Sequence, residues 1–412
     1  MMMVGIMVGE SNHAPSSLST HNPNSPQIPQ NQQANFDLNT QYYQAVFDSV
    51  LNKLWHILCC NEPVTKPIKN RPYSVRCEKC FRQHSKLAHT PFRNMRIPQW
   101  MAGWLIEESY IRHPKIITAI EIHKKLGISY RSALNLKRRI QVMACYLMPA
   151  MKSLMNKELK EEFPAQYKLP KPGENVTDAI QNKNVVHADT LVLYSMRERY
   201  GRKRHKNKGL TSSIYRSEKL GGEQVGTLVH QITNGKWVLL DSIPNLTANT
   251  VGPIISSSLP RNTALFTDEG YKWLFRIYPN HRMVNHSKKS RDKRYRYAKD
   301  RWCQNGVHNQ KSEALNNSIK TAFRSYTYIK PKFSKLYLNE WAFFRNLRHL
   351  DMDKLAEEMA CHGEYARDGR GAVAGDAKME GRRIKNDIIY SERCGDKEES
   401  VKPPLVCSIN TK

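Results

Sequence analysis

Three carboxylates stand where a chain seldom puts charge without a reason. Asp189 lies inside an apolar run, VVHADTLVLY, and Asp268 closes another, ALFTDEGY. A carboxylate among β-forming apolar residues is costly to bury without a partner. Glu313 opens a helical pattern in HNQKSEALNNSIK. Acids arriving from two strands and a helix make an oxygen donor set for one or two Mg²⁺ or Mn²⁺ ions. Lys320 follows Glu313 by about two helical turns and so projects from the same helix face. Singly, each acid reads as a surface charge or a capped turn; their joint placement points to a metal site.

The nine cysteines carry a second signal. Cys77-Glu78-Lys79-Cys80 is a C-x2-C knuckle, which presents two thiolates to a tetrahedral Zn²⁺. Its partner pair must come from WHILCC, and adjacent cysteines do not form a normal knuckle, so His56 joins Cys59 or Cys60. The expected ligand set is Cys59, Cys77, Cys80 and His56; a broken site and free thiols are the competing readings. An odd cysteine count with one tight cluster suits metal binding in a reducing, intracellular compartment better than a disulfide frame.

Sixty-five Lys and Arg face 37 Asp and Glu, a formal charge of +28. A chain this basic repels itself unless a polyanion neutralises it, and nucleic acid is the usual partner. Two basic runs bracket the acids. Arg202, Lys203 and Arg204 lie in the first; Lys288, Lys289, Arg291 and Arg294 lie in the second, interleaved with Tyr295, Tyr297 and Trp302. Phosphate neutralisation beside aromatic stacking suits a DNA strand held next to metal ions. No apolar run is long enough to span a membrane, and the opening MMMVGIMVG lacks the basic start and cleavage pattern of a signal peptide.

The elements that must position these groups follow from periodicity. Residues 1–40 form a polar leader expected to be disordered. Within 41–98 a helical apolar period at 41–58 precedes the cysteine segment. Residues 99–169 read as three helices, with Gly127-Ile128-Ser129 turning the second into a basic third that carries Arg138 and Arg139, a helix-turn-helix candidate for DNA. A Pro/Gly/Asn linker is expected at 170–184. Strands follow at 185–194, 224–232, 237–243 and 263–267, with Asn234-Gly235 as a two-residue hairpin signal. Helices at 311–323 and 332–347 close an α/β domain spanning 185–350, and 351–412 reads as a poorly ordered tail.

RCEKCFRQHSKLAHTPFRNMRIPQW and LGISYRSALNLKRRI together resemble the zinc-ribbon and helix-turn-helix front end of the ISXO-type insertion-sequence transposases. LFTDEGY, MVNHS, NGVHNQKSEALNNSIK and YLNEWAFFRNLRHL resemble the same family's catalytic domain, in the same order. The resemblance implies an RNase H-like catalytic domain, with Asp189, Asp268 and Glu313 as Mg²⁺ or Mn²⁺ ligands and Lys320 as a DNA-contacting lysine. It implies double-stranded DNA as partner, a homodimer or higher assembly on that DNA, and two-metal-ion phosphoryl transfer. Departures are visible: Thr190 follows the first acid where the family commonly has Glu, Gln310 stands in place of an Asn, and Asn316 stands where a Trp is frequent. The rival expectation is a transposase-derived DNA-binding protein or transcription factor without catalysis.

Overall fold

In the computed structural model, which describes residues 30–60, 62–88, 90–196, 214–215, 224–284 and 303–361, the chain starts with a helix, α1 (Gln30–Leu54). It begins about ten residues before the apolar period does, because Gln, Ala and Leu sustain a helix and Pro29 stands just ahead of it. Five short strands follow, β1 (Leu58–Cys59), β2 (Glu62–Pro63), β3 (Lys66–Ile68), β4 (Arg71–Arg76) and β5 (Gln83–Ser85). β1 pairs with β2, while β3, β4 and β5 form a small antiparallel sheet. Tyr73 fastens this ribbon to α1: its hydroxyl donates to Asp48 and accepts from Gln44 Nε2.

α2 (Trp100–Arg112), α3 (Ala119–Leu126) and α4 (Tyr130–Glu162) come next. The Thr118 hydroxyl accepts from the Glu121 backbone N–H and caps α3, and Gly127 ends it at φ 64°. Ser129 then caps α4 in the same way. α4 runs well beyond Leu147 and through Pro149, because its buried stripe continues at Met151, Met155 and Leu159. That burial outweighs the hydrogen bond a proline removes. α4 is therefore roughly 50 Å long at 1.5 Å per residue.

The main sheet contains β6 (Val186–Tyr194), β7 (Gly226–Thr233), β8 (Val238–Ser242), β9 (Leu265–Asp268) and β10 (His281–Val284) in the order β10-β9-β6-β7-β8. β6-β7-β8 is an antiparallel meander, and β9 and β10 add parallel to β6. The β7–β8 loop has four residues, since Thr233 pairs with Val238. The Asn234 carboxamide, which accepts from the N–H groups of both Lys236 and Trp237, builds it in place of the tighter turn. α5 (Ala248–Ser258) lies between β8 and β9, and the ribbon β11 (Cys303–Gln304)–β12 (Val307–His308) leads into α6 (Gln310–Ala322). α7 (Pro331–Leu347) packs on α4 and along edge strand β8. There Asn346 accepts from the Val238 N–H and donates to its carbonyl, closing part of an open sheet edge.

One hydrophobic core runs from Val46 in α1 to Met359, and the described residues fall in one compact unit. Residues 170–184, expected as a linker, are tied down: the Val176 N–H donates to the Asn305 carbonyl, and Asn305 Nδ2 donates to the Gly173 carbonyl. The expected tail begins with a further helix, α8 (Met352–Cys361), whose Leu355 and Met359 enter the core. The leader before residue 30 and the tail beyond 361 lie outside the described residues.

Candidate functional site

The cysteine cluster is built by two tight turns. In the first, Cys60 joins β1 to β2 at φ 52°. In an extended strand, neighbouring side chains point to opposite faces; the left-handed turn brings the Cys59 and Cys60 thiols to one side. In the second, the Cys77 carbonyl accepts from the Phe81 N–H and the Cys77 N–H donates to the Arg82 carbonyl, with Phe81 at φ 60°. The sulfurs of Cys59, Cys60, Cys77 and Cys80 all lie within 4.8 Å of one another. Cys60 thus stands where His56 was expected, and His56 is not among the four.

Tetrahedral Zn²⁺ with Zn–S bonds of about 2.3 Å needs sulfurs about 3.8 Å apart. Cys59 lies 3.4 Å from Cys80 and 4.0 Å from Cys60, so the thiols fit that ion. The Arg82 backbone N–H, helped by the Cys59 and Cys77 thiols, draws Cys80 down to about 7, while the contact with Cys80 pushes Cys59 up. Four thiols in contact are what a cation would convert into a full ligand set by displacing their protons.

The acids are brought together by the main sheet. In the parallel pairing of β6 with β9, Ala188 is opposite Thr267, and one step further along each strand come Asp189 and Asp268. Side chains of register partners share a face. Gln231 of β7 is paired with Asp189 on that face, which α6 covers. Glu313 sits in the first turn of α6, and Lys320 is exposed near the end of the same helix. Asp189 Oδ1 accepts from the Thr190 N–H at 2.7 Å, and Oδ2 accepts from Asn316 Nδ2 at 2.8 Å. Burial pushes the Asp189 carboxyl up to about 6; those two donors pull the other way, and the charges of Asp268 and Glu313 push it further up.

Asp268 Oδ1 is held by the Glu269 N–H at 2.7 Å. Beneath the acids, the His187 and His308 rings stand 5.2 Å apart, and burial holds His187 down to about 3, so no imidazolium offsets their charge. Among the described residues, the thiols are the one group of three or more such side chains gathered closely enough to hold an ion as they stand. The three carboxylates are not gathered to that degree, although Asp189 feels the charges of Asp268 and Glu313.

Arg138 and Arg139 have different partners from those expected. The Arg138 guanidinium lies 4.7 Å over the Tyr337 ring and donates to its hydroxyl, and Arg139 donates to the carbonyls of Pro91 and Arg93. Both are engaged in holding α4 to α7 and to the segment before α2. Exposed groups around the α3–α4 turn include His123, Lys124, Lys125, Ser129, Tyr130 and Arg131. Arg202, Lys203, Arg204, Lys288, Lys289, Arg291 and Arg294 lie outside the described residues. Gln231 was missed in the sequence, although a glutamine inside a strand that is buried at every position was a usable signal. Asn316 was visible there only as a departure from family pattern.

No curated protein and no solved structure matches the chain. The family model of the ISXO2-like transposase domain matches residues 195–346. That span holds Asp268, Glu313 and Lys320 and begins just past Asp189. Among the described residues no helix is long and apolar enough to cross a membrane. Over those residues the chain is similar to the ISXO2-like transposase domain.

Proposed function

We propose that this chain is a DNA transposase that cuts transposon ends and joins their 3′-hydroxyls to target DNA, with residues 185–350 forming an RNase H-like catalytic domain. The observation that carries the reading is the placement of Asp189 and Asp268 on two adjacent parallel strands with Glu313 on the helix that covers them, in a chain that matches a transposase domain over residues 195–346. Their all-oxygen donor set fits Mg²⁺ or Mn²⁺ in kind. When bound, two such ions supply Lewis acidity to the attacking and leaving oxygens.

The chain's own residues hold the ions through Asp189, Asp268 and Glu313, and Lys320 steadies a nearby phosphate. In the first step a water oxygen bonds to phosphorus, and the 3′-oxygen leaves as a hydroxyl carrying a proton. In the second, that hydroxyl attacks a target phosphodiester, whose displaced 3′-oxygen takes up the proton. The same acids serve both steps, because only the nucleophile changes. Cys59, Cys60, Cys77 and Cys80 would hold Zn²⁺, and the exposed α3–α4 turn would read the terminal repeats as a helix-turn-helix. Joining two ends at one target calls for at least two copies on DNA.

The test is nicking of labelled duplexes taken from the DNA that flanks the coding sequence, with Mg²⁺ or Mn²⁺. The wild-type chain should nick at an element end. Asp268→Asn should lower the rate by about a thousandfold or more, because a neutral amide is a poor ligand for a divalent ion, while still binding the duplex. Metal-dependent nicking that persists in Asp268→Asn removes that acid from the site. Binding with no nicking by the wild type favours the DNA-binding, non-catalytic reading.

A further inference from the structure

Asp189 does not stand free: a directed relay of side-chain amides ends on it. The relay starts at a backbone carbonyl, that of Ser312, which can only accept. Gln231 Nε2 donates to it at 2.8 Å, so its partner sets the orientation of the Gln231 amide. The same Nε2 reaches Asn316 Oδ1 at 2.9 Å. With its oxygen turned to Gln231, Asn316 must present its Nδ2 on the other side, and there it donates to Asp189 Oδ2 at 2.8 Å. Gln231 is fully buried and Asn316 nearly so, 0% and 8% exposed. Buried amides rarely change partners, because each orphaned group carries a desolvation penalty.

We propose that Asn316, oriented by Gln231, is a positioning residue for Asp189. It fixes the carboxylate in one rotamer, with Oδ2 held by the Asn316 amide. The inference rests on the reading of Asp189 as a metal ligand given above. It also gives the departure at position 316 a job: a tryptophan there could not accept from Gln231, whereas an asparagine both accepts from Gln231 and donates to Asp189. Partners that orient metal ligands in this way commonly change metal affinity ten- to a hundredfold when removed.

The measurement is Mn²⁺ binding to the full-length, Zn-loaded chain by electron paramagnetic resonance, alongside thermal unfolding without Mn²⁺. The Mn²⁺ of interest is the fraction lost in Asp189→Asn. Asn316→Ala removes the donor, and Asn316→Asp keeps the size but replaces the donor with a second negative charge. Both should weaken that Mn²⁺ binding about tenfold. A residue with a merely structural role would move the metal-free melting temperature instead and leave Mn²⁺ affinity alone. Wild-type affinity in both variants overturns the relay. If the wild type itself binds no Mn²⁺ that Asp189→Asn removes, the metal reading of Asp189 falls, and the positioning role falls with it. Should Asn316→Ala fail to fold, Asn316→Asp decides by the same criterion.

Discussion

The cysteine ribbon and the acid site solve opposite problems. The four thiols come from residues close in the chain, gathered by two left-handed turns, and they rest on a core of only Val64, Val75 and Cys77. The three acids come from residues 189, 268 and 313, and they rest on a core that extends from α1 to α8. In the ribbon the ligands are already together and the surrounding fold is slight; in the sheet the fold is extensive and the ligands repel. A metal in the first place therefore contributes folding free energy. A metal in the second neutralises charge that the fold has already confined. That division holds only if the ribbon can be lost without the sheet.

Zinc removal is the strongest way to break it. A structural Zn²⁺ site is worth on the order of 10 kcal/mol to a small ribbon, far above what three buried residues supply. In Cys77→Ser, or after chelation, amide hydrogen exchange at residues 58–85 should lose its protection. Protection in β6 to β9 should stay, and the main unfolding transition should move by no more than a few degrees. Tyr73 would still tether the segment to α1 through Asp48 and Gln44. If the sheet loses protection together with the ribbon, the two regions form one cooperative unit and the contrast is wrong.

The next test concerns the junction of α4 with α7, the helix that packs along the edge of the main sheet. Lys137 and Glu340 form a buried ion pair, with Gln141 donating to the second Glu340 oxygen at 3.0 Å. Removing one partner strands a charge, so Glu340→Leu should destabilise the main transition by about 3–5 kcal/mol. The double change Lys137→Met with Glu340→Leu should recover most of that, since apolar side chains of similar size replace a buried pair at little cost. A single variant that unfolds the ribbon but not the sheet would show that α4 belongs to the wrong side of the comparison.

How much of this the sequence disclosed follows from the range of the forces involved. Strands β6 to β9 and helices α6 and α7 were readable because their apolar periods are local. The acids were readable because charge in an apolar run is locally anomalous. Cys60 was not placed, because its role depends on a backbone turn that gives no periodic signal. The full length of α4 was hidden by Pro149, a local breaker overruled by burial against distant elements. The positions of Arg138 and Arg139 depend on Tyr337, Pro91 and Arg93, partners far away in the chain, and a basic helix face looks the same whether it meets DNA or protein. The same holds for segment 170–184, whose composition suits a linker although Arg282 and Asn305 anchor it.

The smallest effect is the most specific to the acid site. Asp189 has its folded-state carboxyl raised by burial from an ordinary 3.8 to about 6. Below pH 4 it is protonated in both the folded and the unfolded chain and leaves stability unchanged. Between about pH 4 and 6 the folded chain keeps a proton that the unfolded chain has released, so stability falls as pH rises. Above pH 6 the whole penalty is present. A shift of this size corresponds to about 3 kcal/mol, which solvent at a half-buried side chain reduces to roughly 1–2 kcal/mol. Without added Mg²⁺ or Mn²⁺, Asp189→Asn should therefore be more stable than wild type by that amount at pH 7.5, and the difference should shrink steadily towards pH 4.5. Adding Mn²⁺ at pH 7.5 should stabilise the wild type and leave the Asn variant where it was. Urea unfolding across this pH range measures both. An Asn variant less stable than wild type at pH 7.5 would mean that the Thr190 and Asn316 donors outweigh burial. The carboxylate would then be a settled structural anion, and the acid site would lose the tension that sets it apart from the ribbon.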